Sequence, residues 1–311
     1  EIRNSGLPES IIRSIFWVGT TWLVFLLYMV LATATMDLVR LFIPTLHNGF
    51  WYALLATTIV LIYGNINYRH PRVEHVTIDS EKLPAGDSYR IVLASDIHLG
   101  YGTTRSDLSR YVDMINREQG DVVLIAGDLI DNSVRPVATE DMCREFERIE
   151  APDGIYLAPG NHEYISNIDS VAQYLRTTPV RLVRDSVVRL SDNIALIARD
   201  DRSNRHRRSL KELSSEAGEQ PLIVVLDHQP YDIATSDSLG LDLHLSGHTH
   251  RGQVWPLSWL TDALYDQSHG YRQWSHTHAV VSSGLSLWGP PFRIGTRSDL
   301  YVIEIRGNSA E

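Results

Sequence analysis

The sequence predicts an α/β layered domain preceded by a membrane-inserted helical hairpin. Three observations carry this. Two long apolar runs fall within the first 70 residues, and runs of about five apolar residues alternate with longer amphipathic stretches after Arg72. Carboxylate, amide and imidazole side chains follow five of those short runs.

From Ser14 to Met36 there is no Lys, Arg, Asp or Glu, and a bilayer span takes roughly 20 mostly apolar residues. A second run, Phe50 to Ile66, sits near the lower limit of length. We place the spans at about 15–36 and 50–66, inside a membrane region of residues 1–70. Pro44, Asn48 and Gly49 mark the turn between them. Neither run shows the polar stripe of a surface helix, which disfavours a buried pair in a soluble core. The first apolar run is longer than the ~7–15 residues of a signal peptide. Arg3 and Arg13 precede the first run, Arg69 and Arg72 follow the second, and only Arg40, offset by Asp37, lies between. The positive-inside rule then puts both ends on the cytoplasmic side of the cell membrane, in a multi-pass protein. The chain opens on Glu1 rather than Met, which leaves room for further helices upstream.

Residues 71–311 read as one domain, long enough to bury a sizeable core. Strand candidates are YRIVLAS, DVVLIAG, GIYLAP, VRLV, NIALIA, PLIVVL, LDLHLS, AVVSSG and LYVIEI. Helix candidates are SDLSRYVDMINREQ with Ser106 as N-cap, TEDMCREFERI with Thr139, and SLKELSSEA with Ser209. The single cysteine, Cys143, rules out an internal disulfide framework and falls in a helix candidate. The formal net charge of −10 argues against a nucleic-acid partner, which needs a basic footprint.

Strand ends carry the chemistry. Asp96 and His98 follow the first candidate, Asp128 the second, and Asn161 and His162 the third. His228 ends another, and His248 and His250 a fifth. Ligand sites of open α/β sheets form at that edge. Eight mixed donors are too many for one tetrahedral ion and suit two ions sharing a carboxylate, as in two-metal phosphoryl-transfer sites. The absence of thiolate disfavours a structural zinc site. In extended backbone, residues i and i+2 point to one side, so Asp96/His98 and His248/His250 each aim two donors into one cleft. Gly127, Gly160 and Gly247 immediately precede ligands and supply positive-φ turns. Singly, each of these residues reads as a turn or cap; together, at five strand ends, they do not.

In this order the blocks DIH (96–98), GDLID (127–131), GNHE (160–163), His228 and GHTH (247–250) resemble the calcineurin-like metallophosphoesterase superfamily, and look closest to its membrane-associated bacterial branch. The resemblance covers roughly Arg72 to Arg306 and implies a four-layer αββα sandwich. It implies that Asp96, His98 and His250 hold one divalent ion and that Asn161, His228 and His248 hold the other. Asp128 would bridge them, and His162 would serve the phosphoryl group rather than a metal. The ions would be Mn, Fe, Zn or similar, and a hydroxide bridging them would attack phosphorus. Asp131 is expected to orient a ligand histidine, with an N-cap role as its alternative.

Three further features stand out in the residues. The basic run Asp200 to Arg208 is either a solvated loop or a site for anionic headgroups or phosphates. The apolar segment with Trp255, Trp259, Leu260 and Leu264 is either core or a cap touching the bilayer interface. Arg293, near Trp288, and Arg251, where relatives often have glycine, are candidate substrate contacts. The resulting expectation is a membrane-anchored dimetal phosphodiesterase or pyrophosphatase, with a lipid-linked substrate as one option. The alternatives are a tethered hydrolase of soluble nucleotides, phosphomonoesters or phosphoproteins, and a non-catalytic binding platform.

Overall fold

The computed structural model describes residues 7–218 and 222–308. Arg3, counted above toward the charge bias, and Pro221, in one strand candidate, lie outside them. Helices α1 (Glu9–Phe42) and α2 (Gly49–Tyr68) fold back on each other through a turn where Asn48 takes a left-handed φ of 64°. Both are long and apolar enough to cross a bilayer. Leu23, Val30, Leu41, Trp51, Leu55 and Ile59 face outward, so the pair is not a core element. α1 begins before the apolar run because its charged start binds the domain: Arg13 pairs with Glu140, and Glu9 with Arg135 at 3.3 Å.

One six-stranded sheet contains β1 (Arg72–Ser80), β2 (Ser88–Ala94), β3 (Val122–Ala126), β4 (Ile155–Ala158), β5 (Val180–Leu182) and β12 (Asp299–Gly307). Its order is β1-β12-β2-β3-β4-β5. The other contains β6 (Ser186–Ser191), β7 (Ile194–Ala198), β8 (Leu222–Leu226), β9 (Leu243–Ser246), β10 (Gly270–Gln273) and β11 (His278–Val281), ordered β10-β11-β9-β8-β7-β6. Strands alternate their side chains between faces. Ile91 and Leu93 of β2 therefore meet Leu196, Val224 and Leu245 of the second sheet. Val92 and Ala94 point the other way, toward α3 (Arg105–Arg117) and α6 (Ile168–Leu175). Burial on both faces explains the continuous apolar runs.

On the far side, Leu210 and Leu213 of α7 (Leu210–Ala217) cover Ile197 and Val225, and Ile233 of α8 (Ile233–Ser238) covers Ala279 and Val281. The four layers are αββα, as expected. Short α4 (Val134–Thr139) and α5 (Asn161–Ile165) lie in loops after β3 and β4, and α9 (Leu257–Leu264) follows β9.

Two helix boundaries differ from expectation. Thr104, not Ser106, caps α3, because Asp107 completes a capping box with it. Thr139 ends a helix instead of starting one. Asp141 turns left-handed at φ 47°, and Met142–Arg148, with buried Cys143, winds as a 3-10 helix. Ser209 caps α7 as read.

Helix α2 does not stop at the domain border. Asn65 Nδ2 donates to Pro291 O at 3.0 Å, and Asn67 Nδ2 to Arg293 O and Thr296 O, each at 2.9 Å. Tyr68 Oη lies 3.1 Å from Ser286 Oγ. Gly64 permits the approach: a Cβ there would come 2.5 Å from Ile294 Cγ1. The last turn of the hairpin is thus packed into the α/β domain rather than tethered to it.

Candidate metal centre

Strands β2, β3 and β4 run parallel in one sheet, and β8 and β9 in the other. Their carboxyl ends gather along one edge, and the loops beyond them bring all seven expected ligands together. His228 Nε2 lies 3.2 Å from Asp128 Oδ2, from Asn161 Oδ1 and from His248 Nδ1. In a second group, His250 Nε2 lies 3.4 Å from Asp96 Oδ1 and 3.1 Å from His98 Nε2. His98 Nε2 is also 3.8 Å from Asp128 Oδ2, so one carboxylate oxygen faces both groups. Four donors about 2.1 Å from one ion stand about 3.4 Å apart in a tetrahedron.

Ring chemistry agrees with these spacings for His248 and His250; burial opposes charge on His228, yet Asp128 and Asp96 hold that ring well above the ordinary imidazole range. His228 Nδ1 is 2.7 Å from Ala126 O. A carbonyl only accepts, so Nδ1 carries hydrogen and Nε2 turns toward the group. Burial lowers His248 to about 4. Burial and the His98 ring hold His250 well below the ordinary imidazole range. Both rings are neutral at pH 7, as metal ligands must be. Burial opposes charge on Asp128, yet His228, His98 and His162 hold its carboxyl well below the usual range. Burial shifts Asp96 upward. These His and Asp clusters are able to hold divalent ions.

The backbone differs from the extended segments expected. Asp96, His98, Asp128, His248 and His250 have φ of 52°, 48°, 54°, 71° and 47°. Side-chain-bearing residues rarely sit there, at a cost on the order of 1–3 kcal/mol each. The ligand pairs converge through left-handed turns. Gly127 does take a positive φ, 77°. Gly160 is extended and is needed for space instead, since a Cβ there would lie 2.7 Å from Asp128 N.

Hydrogen bonds hold the strained turns. Asp96 accepts from His248 N–H at 3.1 Å, and Asp128 Oδ1 from His162 N–H at 2.8 Å. Buried Glu163 accepts from Gly160 N at 2.7 Å, Asp128 N at 2.9 Å and Ile130 N at 3.0 Å. It clamps the loops after β3 and β4 together. The signal for it in the sequence is its place three residues after Gly160, which is capping-box spacing.

His162 lies at the edge of both groups. Its Nδ1 is 2.6 Å from Asp131 O and 3.0 Å from Asp131 Oδ1, which is also 3.4 Å from His98 Nδ1. Asp131 therefore touches a ligand histidine and His162 at once, while Ser133 caps α4. Burial works against charge on His162, but Asp131 and Asp128 hold it up to about 9. The Trp288 ring stands 6.4 Å from His162, and the Tyr265 ring 6.4 Å from His248.

Other candidates fare differently. Arg293 is 0% exposed and cannot reach a substrate cleft. Its guanidinium donates to His250 O at 2.6 Å, to Gly284 O and Ser286 O at 3.1 Å each, and to Ser283 O. It braces the His250 loop from behind. Arg251 is half-buried beside His250, and among the described residues its guanidinium makes no hydrogen bond or ion pair. Two arginines of the basic run are paired within the domain, Arg207 with Asp232 at 2.5 Å and Arg208 with Glu216 at 2.6 Å, and Arg202 stacks 4.7 Å from the centre of the Tyr231 ring. The segment around Trp259 is not core, since Trp259 is 66% exposed.

The family profile for calcineurin-like phosphoesterases matches residues 89–252. The chain belongs to this family. It is 33% identical to a zebrafish (Danio rerio) transmembrane protein with metallophosphoesterase domain, over 82% of this chain and 62% of that protein. A Helicobacter pylori metallophosphoesterase is 30% identical over 84% of this chain and 70% of the relative. A cattle (Bos taurus) transmembrane protein with metallophosphoesterase domain is 30% identical over 80% and 60%. The chain thus spans less than two thirds of its animal relatives. Their presence corrects the expectation of a bacterial branch. Calcineurin-like metallophosphoesterases use two divalent metals, and the two ligand groups here are of that kind.

Proposed function

We propose that this metallophosphoesterase is a membrane-anchored hydrolase of phosphodiester or pyrophosphate bonds, acting on a lipid-linked substrate from the cytoplasmic side. The observation carrying the reading is Asp128 Oδ2 facing two ligand groups with His162 alongside. Asp96, His98 and His250 would hold one ion, Asn161, His228 and His248 the other, and Asp128 both. Two bound cations offset phosphoryl charge and lower the pKa of water.

The chain's own residues supply the rest. Asp131 O fixes the His162 Nδ1 hydrogen, so Nε2 is left to meet a leaving oxygen. Asp131 and Asp128 hold the His162 imidazolium above its ordinary range against the burial that opposes it, so His162 can hand that oxygen a proton as the ester bond breaks. Trp288 and Tyr265 flank the groups and orient what enters. The hairpin packed on the 286–296 loop supports a substrate that stays in the bilayer.

The full chain in nanodiscs should turn over phosphodiesters and lipid pyrophosphates only with added Mn, Fe or Zn, and chelation should abolish this. Preference for phosphomonoesters would overturn the bond type. Equal turnover of soluble and lipid-linked diesters would reduce the hairpin to a tether. Fewer than two bound ions together with no turnover would leave a binding platform.

A further inference from the structure

Helix α9 turns its apolar side chains outward. Trp259, Leu260 and Leu264 are 66%, 57% and 64% exposed, while Ser258 is buried. This reverses the usual arrangement of a helix packed on a soluble domain. Between Leu257 and Leu264 there is no Lys or Arg. Trp255 links this face to the hairpin, its ring standing 5.4 Å from that of Trp259. Tyr28 Oη of α1 donates to Trp255 O at 2.6 Å. A cleft of about 460 Å³, lined by Leu31, Ala32, Ala56, Val60, Trp255 and Ile294, lies between the hairpin and Trp255.

We propose that α9 beds into the headgroup–acyl boundary of the bilayer that α1 and α2 enter. The proposal rests on reading those helices as membrane-inserted. Tryptophan favours that boundary, and an interfacial helix sinks its apolar face about 5–10 Å into it. The occupant of the surface is lipid, because Trp255 links the patch to helices whose own outer faces are apolar.

The contact bears on the metal centre. Gly252 lies against the start of α9, where a Cβ would come 2.5 Å from Leu257 C and 2.6 Å from Ser258 N. Thr249, between His248 and His250, donates its hydroxyl to Ser268 O at 2.6 Å, and Ser268 Oγ binds Asp262 of α9. The helix and the histidine pair form one body. A phosphoester at headgroup depth then reaches the centre without leaving the membrane.

The test uses the full chain in phosphatidylcholine–phosphatidylglycerol vesicles, with nitroxide labels on Leu260→Cys and, separately, Leu264→Cys. Ser215→Cys on α7 serves as the water-exposed reference, and buried Cys143 stays unlabelled. Power saturation should show residues 260 and 264 reached by oxygen in preference to a water-soluble nickel complex, at a depth of about 5–10 Å. Residue 215 should show the reverse. Nickel access at 260 and 264 equal to that at 215 would overturn the proposal. Protection from both reagents would overturn it too, since protein, such as a second copy, would then cover α9. Two label positions keep the test if one variant fails to fold. Neither metal nor substrate enters it, so its failure is separate from failure of the hydrolase reading.

Discussion

Replacing Asp131 by Asn tests whether one carboxylate sets both His162 and the His98 side of the centre. Its Oδ1 lies 3.0 Å from His162 Nδ1 and 3.4 Å from His98 Nδ1. Two unit charges 3.0 Å apart attract by about 5 kcal/mol at an effective dielectric constant of about 20. The net effect is smaller, because burial opposes it and Asp128 shares it. His162 stands at about 9 against an ordinary 6.5, a difference of about 3 kcal/mol. The Asp131→Asn change keeps the main-chain bond and removes the charge, so roughly 1–3 kcal/mol should go, a 10–100-fold loss of kcat. His162 would lose its proton at lower pH, so the alkaline limb of kcat should move down by about 1–2 pH units. The assay is kcat on an aryl phosphodiester from about pH 6 to 10, with bound metal counted by mass spectrometry. An unmoved alkaline limb and kcat within about twofold of wild type at full metal content would refute the reasoning.

Three other outcomes are expected. Arg293→Met should leave buried carbonyls of the His250 loop unpaired, at about 1–3 kcal/mol each; thermal unfolding should show a marked loss of stability, and an unchanged midpoint would contradict the brace. Gly64→Val should force the hairpin off Ile294 and destabilise by about 1–3 kcal/mol, measured as increased proteolysis between α2 and β1. Burial lowers His244 to about 3 in the folded state, so the unfolded chain binds a proton there first and the stability is lost as pH falls below about 6.5. His244→Gln should flatten that acid slope by about 1.4 kcal/mol per pH unit, seen in denaturant midpoints between about pH 4 and 6.

The ligands were legible because the fold places them directly after short, doubly buried strands. Periodicity exposes such strands, and donor chemistry identifies the residues at their ends. β1, β6 and β10 were missed for the opposite reason: they lie at sheet edges, with mixed burial and no continuous apolar run. Arg293 was misread because its partners are main-chain carbonyls between His250 and Ser286, which no side-chain pattern announces. The left-handed turns were hidden too. Sequence suggested that Gly127, Gly160 and Gly247 would carry the positive φ, whereas of these only Gly127 does and the ligands carry it themselves, held by Glu163 and by one another. The exposed Trp259 face was left open between core and membrane, because apolar composition alone does not say which way a helix turns.

The docked last turn of α2 has an evolutionary consequence. The heritable unit of this metallophosphoesterase domain does not begin at β1. It begins before Gly64, because Asn65, Asn67 and Tyr68 are fitted to the loop that carries Arg293. A lineage that exchanged its membrane segment by recombination near Arg72 would receive a metallophosphoesterase domain with those contacts missing. Viable chimeras should therefore cross over upstream of Gly64, and the sequence GNINY should travel with the domain whatever anchor precedes it.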